Sequence, residues 1–114
     1  MSSPPLVNAV TRDDLSATIG REKLDSLTQR FAATLALSLG GEARPADDLG
    51  REAHTLVSMA GMLGCDALSQ ACRDLEQAAK QGLDLGSPLA AARRIRDETL
   101  AALGGGQRAV ATSP

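Results

Sequence analysis

The chain has 114 residues, enough for one compact domain and too few for two. Twelve Lys and Arg against 14 Asp and Glu leave a net charge of −2, and aromatic residues make up 1 %. A phosphate-backbone binder built on clustered cations and a base-stacking platform are therefore both excluded. With Phe31 as the single aromatic residue, the core must come from Leu, Ala, Ile, Val and Met, a composition that favours helices over sheets.

Residues 1–10 hold two prolines, two serines and no helical period, and are expected to form a flexible N-terminus. A short helix is predicted from about Thr11, with Thr11 and Asp14 as a weak capping pair, to Gly20. A second runs from Arg21 to about Leu39 on the stripe Leu24, Leu27, Phe31 and Leu35, and stops at Gly40-Gly41. After Pro45, a third starts near Ala46 with the most regular stripe in the chain, Leu49, Ala53, Leu56, Ala60 and Leu63. Gly64 closes it, and Asp66 is placed to cap a fourth helix whose face reads Leu68, Cys72, Leu75 and Ala79 until Gly82. Ser87-Pro88 opens the last, whose inward face of Ala92, Ile95, Thr99 and Leu103 is the least apolar. Residues 104–114 are expected to form a flexible C-terminal tail.

The pattern predicts an all-α fold over residues 11–103, an antiparallel up-down four-helix bundle with a short additional N-terminal helix. Each stripe is wide enough to close its own bundle and no wider, which predicts a monomer. Cys65 and Cys72 lie seven helical residues apart, about 10.5 Å along an axis and too far for a disulfide, so both are read as free thiols of a reducing compartment. The N-terminus lacks a basic n-region and an apolar h-region, and no stretch approaches the roughly 18 apolar residues of a membrane span. A soluble, cytoplasmic protein is expected.

The chain has one histidine, His54, in the middle of the third helix. At 100° per residue it lies about 140° from the centre of the apolar face and should meet solvent. Asp47, Gly50, Ser58 and Gly61 share its side of the helix. Glycine inside a helix costs up to about 1 kcal/mol relative to alanine, so two glycines beside an exposed imidazole suggest close approach of another surface. The alternative is an ordinary surface histidine, with glycines that permit packing against a neighbouring helix.

Around His54 the chain reads Arg51-Glu-Ala-His54-Thr-Leu-Val-Ser-Met-Ala-Gly-Met-Leu-Gly64, then Leu68, Cys72, Leu75, Glu76 and Gly82. This segment resembles the histidine-containing phosphotransfer (HPt) domain family, whose signature is an Ala-His-x-Leu-Lys-Gly run, small residues, a Leu-Gly turn and a second helix with Leu, Cys or Ala, and Leu-Glu. The close match covers about residues 50–82. The resemblance implies an intermediate phosphoryl carrier between receiver-domain aspartates, with His54 as phosphoryl acceptor and donor, and with a response-regulator receiver domain and a hybrid histidine kinase as partners. Three positions depart from the pattern. Val57 stands where the family has lysine, Ser58 where it has glycine, and Met59 where it has a small residue. Val57 removes the cation near the phosphoryl group, and Arg51, one turn before His54, is the basic side chain of that helix that could replace it.

An imidazole with a reference pKa of about 6.5 offers a free lone pair at pH 7, so it needs no separate base. Phosphoryl transfer is mostly positioning plus charge neutralisation, and Mg²⁺ is expected from the partner receiver domain rather than from this chain. No Walker-type loop is present, and GGGQ at 104–107 follows a helix, which argues against an ATP-using kinase. One histidine and two cysteines do not make a zinc site. A Ser58–His54–Asp47 triad would sit on one helix without an oxyanion hole. Arg93, Arg94 and Arg96 form the one basic cluster, which a solvated last helix explains as well as an acidic partner does. A helical adaptor that binds receiver domains without efficient phosphorylation is the alternative function, and a dimeric transferase is a more remote one. The docking surface is expected along Asp47, Gly50, Ser58 and Gly61.

Overall fold

The computed structural model describes residues 4–42 and 44–104. They form five helices: α1 (Ala9–Ile19), α2 (Arg21–Ala36), α3 (Ala46–Met62), α4 (Asp66–Lys80) and α5 (Gly86–Leu103). The last four form the bundle. The most extensive packing is between α3 and α4, followed by that between α4 and α5; α5 also packs on α2, and α1 lies against α2.

The apolar stripes meet in one core. Phe31, Leu35, Leu56, Leu63, Leu68, Leu75 and Cys72 are all at most 2 % exposed, as the 3.6-residue period requires of an amphipathic helix with one covered face. Leu27 is only partly buried, and Thr28 takes the inward position beside it. Thr28 tolerates burial because its hydroxyl donates to the Leu24 carbonyl at 2.8 Å.

Several helix ends differ from expectation. α1 begins at Ala9, because Asn8 caps it: the Asn8 side-chain oxygen accepts from the Thr11 amide at 3.2 Å. Residues 5–8, expected to be loose, are tied to the α3–α4 turn. The Asn8 amide donates to the Gly64 carbonyl (2.7 Å), the Ala67 amide to the Pro5 carbonyl (2.9 Å), and Asn8 Nδ2 to Asp66 Oδ2 (2.8 Å). Asp66 is thus the first residue of α4 and a partner of Asn8 rather than the helix cap. Gly64 has φ +79°, and a Cβ there would lie 3.0 Å from the Asn8 carbonyl oxygen, so both backbone angle and space require glycine. α5 starts at Gly86, which leaves Pro88 in its first turn, where no intrahelical N–H bond is lost. Of the expected C-terminal tail, residues 105–114 lie outside the described residues.

α2 stops at Ala36 instead of Leu39. Leu39 occupies the left-handed region at φ 63° and is fully buried, which turns the chain inward before Gly40. Arginines of α5 hold this turn. Arg93 Nε donates to the Leu39 carbonyl (2.8 Å), Arg93 Nη2 to Gly41 (2.7 Å) and Arg96 Nη1 to Ser38 (2.9 Å). Two of the three arginines of the basic cluster are therefore occupied in satisfying the carbonyls at the end of α2, where a cation also opposes the negative helix terminus. Arg94 alone projects outward, 3.8 Å from Glu98.

Candidate functional site

Ala53 and Leu56 are buried in the core, and that fixes the rotation of α3. His54 is consequently turned outward, with its side chain 70 % exposed. α4 returns antiparallel after the Gly64 turn and brings Glu76 to the ring: His54 Nδ1 lies 2.7 Å from Glu76 Oε2. Gly50 faces Ala79 and Val57 faces Ser69 in the same register. One turn beyond Glu76, Lys80 Nζ donates to the same Oε2 at 3.2 Å.

Burial of Glu76 acts to raise its carboxyl pKa, but the hydrogen bonds from Lys80 and His54 outweigh it and hold the group below its ordinary value. The carboxylate is therefore ionised at neutral pH and can only accept. The proton of the neutral imidazole must then sit on Nδ1, which leaves the Nε2 lone pair free. The same carboxylate is placed to offset the positive charge that the ring acquires when Nε2 forms a new bond.

The ring opens onto a cleft of about 520 Å³ between α3 and the end of α4, bordered by Asp47, Gly50, Arg51, Ala79 and Lys80. Gly50 sits where the cleft narrows against α4. It is half-buried, and a Cβ there would lie 3.2 Å from the Ala79 Cβ, so this glycine permits close approach of α4. Arg51 is 80 % exposed and folds back along α3, with Nη2 3.7 Å from Asp48 Oδ1. Val57 is half-buried against the core, and its carbonyl accepts from Ser69 Oγ at 3.0 Å. Ser58 and Gly61 are exposed beyond His54, toward the C-terminal end of α3. The candidates thus divide: Asp47, Gly50 and Arg51 border the cleft, whereas Val57, Ser58 and Gly61 lie past the ring on its other side.

Sequence reasoning assigned no role to Glu76 or Lys80. The signal that finds them is register: His54 and Glu76 lie at nearly equal chain distances on either side of the Gly64 turn, and Lys80 follows Glu76 at i+4. Cys65 and Cys72 offer no competing nucleophile, because burial pushes their thiols up to about 11 and about 12. Among the described residues, no group of three His, Cys, Asp or Glu stands together to hold a metal ion.

The family model of the Hpt domain matches residues 18–105, most of the chain. The chain belongs to the Hpt domain family. Comparison with curated proteins and with solved structures returns no match. The Hpt match spans the four bundle helices and leaves most of α1 outside it. Membership carries a phosphotransfer role in two-component signalling, with receiver and kinase domains as the general class of partner. No helix among the described residues is long and apolar enough to cross a membrane.

Proposed function

We propose that this Hpt domain is an intermediate phosphoryl carrier between receiver-domain aspartates of a phosphorelay, and that His54 Nε2 is the atom that carries the phosphoryl group. The observation that carries this reading is the exposed ring whose other nitrogen is held by an ionised, nearly buried carboxylate. The Nε2 lone pair attacks the phosphorus of an aspartyl phosphate. The bond from phosphorus to the aspartate oxygen breaks, and its electron pair returns to the aspartate carboxylate. The ring keeps its Nδ1 proton and becomes positively charged against Glu76. A Mg²⁺ ion held by the receiver, not by residues of this chain, would supply charge neutralisation during the transfer. Transfer onward is the reverse step with a second aspartate.

A receiver must bring its aspartate to within about 3–3.5 Å of the nucleophile before reaction, which requires an unobstructed approach over α3. Ser58 and Gly61 provide low relief there, and Met62 beside them is 53 % exposed. The other large exposed apolar side chains are Val10 on α1 and Leu37 and Leu83 in the loops after α2 and α4, in keeping with a monomeric carrier.

Incubation with a phosphorylated receiver domain should place an acid-labile, base-stable phosphoramidate on His54, and His54→Gln should abolish the label while circular dichroism stays unchanged. Label persisting in His54→Gln would place the chemistry elsewhere. A wild-type chain that binds receivers but takes no label from them would instead be the adaptor that Val57 suggests.

A further inference from the structure

A phosphoryl group on His54 brings two negative charges next to Glu76, and α3 offers little to balance them. Val57 is apolar and half-buried, and Arg51 is turned back toward Asp48. α4 supplies what α3 lacks. Lys80 Nζ and His54 Nδ1 bind the same Glu76 oxygen, at 3.2 and 2.7 Å, so ammonium and ring can be no farther apart than these two contacts laid end to end. Lys80 also borders the cleft onto which the ring opens, and its side chain is 64 % exposed, accessible to an incoming anion. Glu76 accepts one N–H of the ammonium, which has three to give. The approach of Ala79 to Gly50 brings this end of α4 against α3.

We propose that Lys80 is the phosphoryl-binding cation of this site, so that the charge Val57 does not provide on α3 comes from the last turn of α4. The inference rests on the carrier reading above. Lys80 donates to Glu76 and to the phosphoryl oxygens together, and it neutralises the dianion as it enters the cleft.

The test uses the full chain and phosphoramidate, a small donor that needs no docking surface. The Nε2 lone pair attacks the phosphorus of the donor in its N-protonated form, the P–N bond breaks, and the nitrogen leaves as ammonia with the bonding pair. The second-order rate of His54 labelling is followed by mass spectrometry. Lys80→Gln should slow labelling about three- to tenfold, the range for one partly exposed charged hydrogen bond, and Lys80→Arg should restore most of it. A second cycle separates direct contact from an effect through Glu76: in a Glu76→Gln background, Lys80→Gln should still slow labelling. If the loss vanishes in that background, Lys80 acts only on the carboxylate and the proposal fails. It also fails if Lys80→Gln labels like the wild type, or if Arg51→Ala rather than Lys80→Gln removes the rate. A wild-type chain that takes no label while a free imidazole compound does would overturn the carrier reading itself, an outcome distinct from all of these.

Discussion

Glu76→Ala tests the assignment of the nucleophilic atom. The bond at stake joins His54 Nδ1 to a carboxylate oxygen at 2.7 Å, and hydrogen bonds to charged groups contribute about 1.5–3 kcal/mol. The carboxylate side is only 11 % exposed but the ring is 70 % exposed, so solvent screening reduces the expected value to about 1–1.5 kcal/mol. That is about a five- to twelvefold change in the distribution of the proton between Nδ1 and Nε2. Removing the acceptor also leaves the Lys80 ammonium in the cleft without its carboxylate, a cation that then opposes positive charge on the ring. Long-range proton–nitrogen NMR at pH 8 reads the tautomer directly, and with one histidine in the chain the signals belong to His54 without assignment. The wild type should show the proton on Nδ1, Glu76→Ala should shift it toward Nε2, and Glu76→Gln should keep it on Nδ1 because the amide oxygen still accepts. Labelling should slow in Glu76→Ala by at least the same factor. A wild-type ring protonated on Nε2, or a tautomer unchanged by Glu76→Ala, would refute the argument that the carboxylate frees Nε2.

The depressed Glu76 carboxyl also links stability to pH. Its folded pKa lies below the unfolded value, so its contribution is present above the unfolded value, ordinarily about 4.5, and is lost as pH falls through the folded value. Urea midpoints should therefore show wild type more stable than Glu76→Gln at pH 7 and the difference shrinking by pH 3; a pH-independent difference would contradict this. Thr99 is fully buried on α5 and its hydroxyl has no hydrogen-bond partner, so Thr99→Val should stabilise the fold by about 1–2 kcal/mol, and a loss of stability would show that the hydroxyl is satisfied. At Gly61 a Cβ would meet Ser69 Oγ at an ordinary 3.6 Å, so Gly61→Trp should fold normally by circular dichroism yet lose phosphotransfer from a receiver domain while labelling by phosphoramidate persists. Undiminished receiver transfer in that variant would move the docking face elsewhere.

What the linear pattern determined about this protein was local. The periods of Leu, Ala and Phe31 set four bundle helices, and the outward direction of His54 followed from the angles of Ala53 and Leu56 on the same helix, because rotation about a helix axis is decided within a few residues. Everything that depends on one helix meeting another was decided by the tertiary structure. Gly50 reads on a helical wheel as part of an open stripe, yet it faces Ala79, and Arg93 and Arg96 read as a solvated basic run, yet they hold the end of α2. Glu76 and Lys80 reach His54 only through the register of α3 against α4, which depends on the Gly64 turn, its contacts with Asn8 and the depth to which the two apolar faces interlock. A helical period gives each side chain an angle on its own helix. It carries no term for the axial offset between two helices, and in this protein that offset places a carboxylate and an ammonium beside the ring.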